Sequence, residues 1–86
     1  MKLWFGNSFG KRRVIADCAT PAEVTKAINN FVDECNAKKP KGQTPFKIYY
    51  TRIWETDDGL VKYDVGSHTE FFYWEGPIEA YMENKE

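Results

Sequence analysis

Cysteine and histidine are scarce in this chain, and their scarcity excludes several kinds of site. The 86 residues include two cysteines and one histidine. Cys18 and Cys35 are too few for a disulfide framework, and they lack the Cys-x-x-Cys spacing of redox motifs. Both fall on apolar stripes, which favours free, buried thiols, and a bridge between them stays open as an alternative. No cluster of metal ligands is predicted, and we expect no cofactor.

Long apolar runs and phosphate-binding glycine motifs are also missing. No stretch approaches the ~20 apolar residues of a membrane-spanning helix, and the first ten residues lack the apolar run of a signal peptide. We therefore expect a cytoplasmic protein with no membrane partner. Neither G-x-G-x-x-G nor a Walker loop occurs. At 42% hydrophobic and 16% aromatic residues the chain is too apolar for disorder, and its length predicts a single domain over residues 1–86.

The clearest local signal is a helix that begins near Thr20. Thr20 is a good N-cap, Pro21 suits the first helical position, and Glu23 completes a capping box. Apolar residues then recur at helical spacing, at Val24, Ile28, Phe31 and Cys35. The pattern predicts one helix with a single apolar stripe that ends near residues 37–39, before Pro40.

Two short strands are predicted before this helix. Lys2–Phe5 is largely apolar, a loop of Gly, Asn and Ser follows, and Arg12–Cys18 alternates in polarity. The alternation places Val14, Ala16 and Cys18 on one side of the second strand. We expect the two strands to form an antiparallel hairpin.

The stretch from Phe46 to Trp74 holds nine of the fourteen aromatic residues and predicts a three-strand meander. Its first turn lies at residues 56–60, where Gly59 suits the left-handed position of a three-residue hairpin loop. This turn predicts four cross-strand pairs: Thr51–Val65, Arg52–Asp64, Ile53–Tyr63 and Trp54–Lys62. The order β-β-α-β-β-β therefore predicts an α+β fold, with a single helix packed on a mostly antiparallel sheet of about five strands. Residues 77–82 are compatible with a short C-terminal helix.

Aromatic residues fall on both faces of the predicted meander, whereas one helix covers only one face. The face assigned to the helix carries Tyr49, Thr51, Ile53, Val61, Tyr63 and Val65. The other face carries Tyr50, Arg52, Trp54, Lys62 and Asp64, with a charge pair and a cation–π pair predicted across the strands. A register shift of one residue would exchange the faces. An uncovered aromatic face predicts a binding partner. Homodimerisation through this face, or its burial under residues 77–82, are the alternatives.

Polar side chains gather at the second turn of the meander, at Ser67, His68, Thr69 and Glu70. Adjacent Ser67 and His68 point in opposite directions on extended chain, and no oxyanion hole is evident, so we do not expect an enzyme. Binding of a polar ligand is the functional interpretation. The structural interpretation is a tight turn at Gly66 whose backbone groups these side chains satisfy.

Charge is divided unevenly along the chain. The net charge of −1 combines an excess of five positive charges in residues 1–47 with an excess of six negative charges in residues 48–86. Basic clusters at 11–13 and 38–41 keep nucleic-acid binding open as an alternative, against a pI near 5.8. A small nucleotide would instead use Tyr50, Trp54, Arg52 and Arg13 as stacking rings and clamps. The acidic residues Glu55, Asp57, Asp58, Glu75 and Glu79 could engage a basic groove on a partner protein.

The runs Y-T-R-I-W at Tyr50–Trp54 and Y-D-V-G-S-H-T-E-F-F at Tyr63–Phe72 resemble a pattern in small uncharacterised proteins of phages and prophages of Gram-positive bacteria. The likeness covers residues 46–74 and carries no established activity. The resemblance implies a context, because small phage proteins often bind and block host factors, including defence proteins and their nucleotide signals.

We therefore expect a small non-enzymatic, phage-like binding protein that inhibits a host factor, in an anti-defence role. It would occlude a host protein or sequester a small nucleotide signal. The alternative is a nucleic-acid-binding phage accessory protein. The residues expected to contact the ligand or partner are Arg13, Tyr50, Arg52, Trp54, Lys62, Asp64, Ser67, His68, Thr69 and Glu70.

Overall fold

Strands and helices follow one another in the predicted order. The structure is a computed structural model that describes residues 1–7, 11–42, 45–67 and 70–81. Its strands are β1 (Lys2–Asn7), β2 (Arg12–Asp17), β3 (Arg52–Glu55), β4 (Val61–Asp64) and β5 (Glu70–Trp74). The α-helix α1 spans Pro21–Lys38, and a short 3-10 helix spans Ile78–Tyr81. The α+β prediction of one helix on a five-stranded antiparallel sheet is confirmed.

Thr20 caps α1 as predicted, whereas the second bond of the predicted capping box goes to the residue before the cap. Thr20 has extended backbone angles, and its Oγ1 accepts a hydrogen bond from the Glu23 N–H at 3.3 Å, which satisfies a donor of the first turn. The Glu23 carboxylate accepts a hydrogen bond from the Ala19 N–H at 2.7 Å. Within the described residues, no helix is both long enough and apolar enough to traverse a lipid bilayer.

The first and last strands of the chain are neighbours in the interior of the sheet. The strand order is β2-β1-β5-β4-β3, and every neighbouring pair is antiparallel. Leu3 lies opposite Trp74, and Phe5 lies opposite Phe72. β1 therefore joins the N-terminal hairpin to the aromatic meander at the centre of the sheet.

The hydrophobic core lies between α1 and one face of the sheet. The helix contributes four buried side chains, Val24, Ile28, Phe31 and Val32. The buried residues they pack against include Leu3, Val61, Tyr63, Val65, Phe72 and Trp74. The Phe5 ring centroid lies 4.6 Å from that of Phe31 and 5.1 Å from that of Phe72, so these rings tie helix to sheet.

The hairpin between β3 and β4 has the predicted turn and register. The Thr56 N–H donates to the Leu60 carbonyl at 2.8 Å, and Gly59 has a φ of 84°, a conformation that favours glycine. Arg52–Asp64, Ile53–Tyr63 and Trp54–Lys62 are paired as predicted. This register places Val61 and Tyr63 under the helix, which settles the choice of faces at β4.

The start of β3 differs from the prediction. Residues 45–51 are irregular rather than strand, and the Tyr49 N–H, not a Thr51 pair, bonds to the Val65 carbonyl at 3.0 Å. Tyr49, which the alternation assigned to the helix-covered face, is 69% exposed. A tether to α1 holds the start of this segment: the Asn36 side chain donates to the Phe46 carbonyl at 2.9 Å and accepts from the Phe46 N–H at 2.7 Å. This exchange uses backbone groups that a strand would pair.

A β-bulge interrupts the alternation that was predicted for β2. Leu3 pairs with Ala16 and Trp4 pairs with Val14, so Ile15 is the extra residue. Both Ile15 and Ala16 pack against the core, whereas Val14 is 46% exposed. The prediction that Val14 and Ala16 share a side was therefore wrong.

The 3-10 helix packs on the helix-covered side of the sheet. The Tyr81 ring makes edge contacts with Tyr63 and Trp74, and the Tyr63 and Tyr81 hydroxyls are hydrogen-bonded to each other. The Trp74 indole N–H donates to the Cys18 carbonyl at 3.0 Å. Cys18 is buried and Cys35 is half-buried, and both are free thiols.

We predict that Asn36→Ala lowers the free energy of unfolding by roughly 1–3 kcal/mol, because two part-buried backbone groups of Phe46 lose their partners. Urea denaturation measures the change. Asn30→Ala is the matched control, since Asn30 is exposed on the same helix and alanine has the higher helix propensity. Equal stability of the two variants would contradict the tether.

We also predict that stability falls above about pH 10, where tyrosine ionises in the unfolded chain. Burial and the hydrogen bond to Tyr81 raise the pKa of Tyr63, and burial raises the pKa of Tyr81. Groups with raised pKa values stabilise the fold fully below the unfolded-state pKa and progressively less above it, by at most about 1.4 kcal/mol per pH unit for each group.

The measurement is urea denaturation at pH 7, 9, 10 and 11. The double variant Tyr63→Phe/Tyr81→Phe removes both hydroxyls together, so neither is left unpaired, and it should lose this part of the alkaline decline. An identical decline in the variant would assign the effect to other groups.

Candidate binding face

The side of the sheet opposite α1 carries the side chains that alternate with the core residues. We call this side the open face. Its described members are Lys2, Trp4, Arg12, Val14, Asp17, Arg52, Trp54, Lys62, Asp64, Phe71, Tyr73 and Glu75. Of the residues predicted to bind, Arg52, Trp54, Lys62 and Asp64 are on this face.

A continuous row of side chains crosses all five strands of the open face. The cross-strand pairs place Val14, Trp4, Tyr73, Lys62 and Trp54 side by side. Directly opposed residues in antiparallel strands have their Cβ atoms only about 4.5–5.5 Å apart, so neighbours in this row are in contact range. The row brings the predicted Trp54–Lys62 pair next to Tyr73 on β5, which in turn lies beside Trp4 on β1.

Two cations lie over aromatic rings of the open face. The Lys62 Nζ is 4.1 Å from the Phe71 ring centroid, 5.5 Å from that of Trp54 and 5.7 Å from that of Tyr73. The Arg12 guanidinium carbon is 3.9 Å from the Tyr73 centroid. Tyr73 is consequently only 3% exposed although no helix covers it. The predicted cation–π pair is confirmed, within a larger network than the sequence indicated.

Gly6 is the residue that lets Arg12 reach Tyr73. A Cβ atom at Gly6 would lie 2.5 Å from the Arg12 Cγ and 2.4 Å from the Lys11 carbonyl oxygen. Both distances are shorter than non-bonded atoms allow. Glycine therefore provides the space across which the arginine side chain passes from the edge strand to the centre of the sheet.

A hydrogen bond from its indole N–H holds Trp4 in the row. Its indole N–H donates to the Glu75 carboxylate at 2.9 Å, and the same carboxylate accepts a hydrogen bond from the Lys2 backbone N–H. The Lys2 ammonium lies 6.0 Å from the Trp4 ring centroid. Glu75, which the sequence suggested for contact with a basic partner, is thus engaged within the chain.

The predicted charge pair between Arg52 and Asp64 does not form, although the two residues are opposed. The Arg52 guanidinium carbon lies 5.1 Å from the Tyr50 ring centroid, and the Asp64 carboxylate accepts a hydrogen bond from the Gly66 N–H at 3.0 Å. Within residues 1–7, 11–42, 45–67 and 70–81 the ion pair in contact is that of the Met1 ammonium and Asp17. The Arg52 cation and the Tyr50 ring therefore face solvent together at the β3 edge.

The remaining predicted residues lie at one end of the sheet, away from this row. The Glu70 N–H donates to the Ser67 Oγ at 3.2 Å, as the structural interpretation of the turn predicted. Glu70 also lines two recesses: one of about 260 Å³ with Lys11, Arg12 and Arg13, and one of about 200 Å³ with Lys39, Lys47 and Ser67. His68 and Thr69 lie outside the described residues.

Arg13 is not part of the open face. It pairs with Phe5, and its guanidinium carbon lies 5.4 Å from the Phe31 ring centroid, on the helix-covered side. β2 and β3 are at opposite edges of the sheet, about 19 Å apart at the usual strand spacing. The predicted nucleotide site of Tyr50, Trp54, Arg52 and Arg13 was therefore wrong as a set, because Arg13 cannot join the other three.

The described C-terminal segment does not cover the open face. Tyr81 and Ile78 pack against the core cluster on the opposite side. The alternative in which this segment buries the open face is thus not realised by residues 77–81; Met82 lies outside the described residues. Trp54 is 40% exposed and Tyr50 47%.

Sequence reasoning missed the members of the open face that lie on β1, β2 and β5, among them Trp4, Arg12, Phe71 and Tyr73. The alternation of side chains along β1 and β5 can be read from the sequence. It identifies a shared face only when the two strands are known to be neighbours. Among the described side chains, no group of three or more His, Cys, Asp or Glu residues is placed to hold a metal ion.

Comparison with known proteins leaves the site to be interpreted from its own geometry. No protein-family model, curated protein or solved structure matches the chain.

We predict that Arg12→Ala lowers the free energy of unfolding by roughly 0.5–1.5 kcal/mol, because Tyr73 loses the cation and the aliphatic stem that shield it. Urea denaturation measures this. Lys11→Ala is the matched control, a neighbouring exposed cation for which a change within about 0.5 kcal/mol is expected. If the two variants are equally stable, the Arg12–Tyr73 contact does not support the sheet.

Proposed function

We propose that this protein is a non-enzymatic binding protein whose open face attaches to the surface of another protein. The observation that carries the proposal is the row of rings and cations crossing the sheet, with Trp54 and Tyr50 left exposed at its β3 end. Tryptophan, tyrosine and arginine are the residues that contribute most to protein interfaces. Rings braced by neighbouring cations also lose little side-chain entropy on binding.

The shape of the open face favours a macromolecule over a small ligand. The row extends across four strand spacings, about 19 Å. Small ligands need concave sites that bury most of their surface. The recesses described above lie at the end of the sheet, where Glu70 lines both. This distribution argues against Trp54 and Tyr50 as the two sides of a nucleotide pocket.

The charges on the open face favour an acidic partner. Four cationic side chains, those of Lys2, Arg12, Arg52 and Lys62, lie on this face with three acidic ones, those of Asp17, Asp64 and Glu75. Asp17 is paired with the Met1 ammonium, and Glu75 accepts a hydrogen bond from the Trp4 indole, so these two acids are engaged within the chain. The sequence suggested the opposite polarity, with acids reaching a basic groove. Of those acids, Asp57 and Asp58 lie at the tip of the β3–β4 turn and Glu79 is in the 3-10 helix, away from the row. Complementary charge speeds encounter and selects the partner.

We further propose that the bound protein is a host factor and that binding inhibits it. This part of the proposal is supported by the resemblance of residues 46–74 to small phage and prophage proteins, for which occlusion of a host protein in an anti-defence role is a typical way of acting. In that setting the site of action would be the bacterial cytoplasm.

Single-stranded nucleic acid is the second candidate ligand. Bases stack on exposed aromatic side chains of open sheets, and cations on the same face pair with phosphates. The specific observation in its favour is that Arg12, Arg52 and Lys62 lie over rings of the open face and, among the described residues, form no ion pair with its acids. A sequestered nucleotide signal is a weaker form of this candidate because Arg13 lies on the other side of the sheet.

We predict that Trp54→Ala abolishes capture of a protein from a lysate of Gram-positive bacteria while changing the free energy of unfolding by at most about 1 kcal/mol. Tyr49→Ala is the matched control, because it removes a still more exposed ring from outside the open face. Affinity capture with mass spectrometry, together with urea denaturation, measures both quantities. A captured protein retained by Trp54→Ala, or collapse of that variant, would contradict the proposal.

Salt separates the two candidate ligands. Binding of a single strand through three or four cations should weaken with a log–log slope of roughly −2 to −3 in salt concentration. Titration of labelled poly(dT) and poly(U) between 50 and 300 mM salt measures the slope. Binding with such a slope that Lys62→Glu removes would replace the protein partner with nucleic acid.

A further inference from the structure

β3 is an unprotected edge of the sheet. It pairs with β4 on one side and, in the described part of the chain, with no strand on the other. All four of its residues are exposed, including Ile53 at 38% and Trp54 at 40%. Regular edges of this kind are where another strand can add.

The hydrogen-bonding groups that β3 turns outward can be identified from the hairpin. The Thr56 N–H bonds to the Leu60 carbonyl, so this pair is of the hydrogen-bonded type. Antiparallel pairs alternate between types, so Arg52 and Trp54 direct their backbone groups to β4. The N–H and C=O groups of Ile53 and Glu55 therefore point away from the sheet.

The other edge of the sheet is protected against strand addition. β2 contains the bulge at Ile15, and it begins with two exposed arginines, Arg12 and Arg13. Bulges and edge charges are the usual protections against edge pairing. β3 also carries two exposed charges, Arg52 and Glu55, but its pairing is continuous over four residues and it has no bulge. Strand addition is thus expected at β3 alone.

We propose that β3 pairs antiparallel with β3 of a second copy of this chain, about a two-fold axis at Ile53. An axis normal to the sheet keeps each face continuous, so open-face residues must oppose open-face residues. In this register Ile53 opposes Ile53 of the second copy, and Arg52 opposes Trp54 of the second copy. The Ile53 backbone groups then form two reciprocal hydrogen bonds across the axis.

The sequence of β3 is self-complementary in this register. Each Arg52 guanidinium meets the indole of the opposing Trp54, which gives two cation–π contacts. On the helix-covered side the two Ile53 side chains meet, beside a recess of about 100 Å³ lined by Ile48, Ile53 and Tyr63. An axis at Trp54 would instead set Ile53 against Glu55, an apolar side chain against a charge. The Ile53 register is therefore favoured.

The dimer shares Arg52 and Trp54 with the open face, but it does not depend on which partner the open face binds. Dimerisation at β3 would join two five-stranded sheets into one of ten strands and bring the two open faces into a single surface. The seam would lie at Arg52 and Trp54, where the exposed rings are concentrated.

Sedimentation velocity between about 1 µM and 1 mM tests the dimer, a range that includes weak association. The wild-type chain should shift from 10.0 kDa to twice that mass as concentration rises. Ile53→Lys sets two ammonium groups against each other at the axis and should weaken dimerisation by more than about tenfold. Val14→Lys is the matched control, because Val14 is a β-branched residue at the opposite edge that is 46% exposed against 38% for Ile53, and this variant should dimerise normally.

Amide hydrogen exchange identifies the register. The Ile53 and Glu55 amides should gain protection at dimer-forming concentrations, whereas the Arg52 and Trp54 amides are protected by β4 throughout. A wild-type mass of 10.0 kDa at 1 mM would overturn the proposal. So would a dimer that Val14→Lys disrupts and Ile53→Lys does not, since that result assigns association to the open face.

Discussion

The structure depends on one constraint: a single helix covers one face of the sheet, but aromatic residues lie on both faces. The contact of Arg12 with the Tyr73 ring shows how the uncovered face is shielded. α1 buries Val24, Ile28 and Phe31 against one face and reaches no further. On the other face the strands shield their own rings, with Arg12 and Lys62 lying across Tyr73 and Phe71. Long cationic side chains replace a missing layer because their stems are apolar and their heads stay in water.

This way of covering the sheet links stability to binding. Tyr73 is sealed at the centre of the open face, whereas Trp54 stays 40% exposed at its edge. The centre of the row thus supports the fold, and the β3 end is available to a partner or a second copy. Side chains that neighbouring cations already hold in place lose less conformational entropy when a partner binds.

The sequence predicted those features that local chemistry determines. The N-cap at Thr20, the left-handed Gly59 and the pairing of Trp54 with Lys62 each depend on residues a few positions apart. It did not predict the bulge at Ile15, nor the irregular segment that Asn36 holds at Phe46. Both depend on contacts between elements whose relative placement the local sequence pattern does not specify. The candidate site divides in the same way: Trp54 and Lys62 were found, whereas Arg12 and Tyr73 needed the strand order.

The central position of β1 has a consequence for how the chain acquires its structure. Leu3 finds its partner only when Trp74 has been made, so the middle of the sheet is assembled from the first and last strands. Loop closure over that separation is slow compared with helix or hairpin formation. During synthesis the N-terminal hairpin must therefore wait with one long side unpaired.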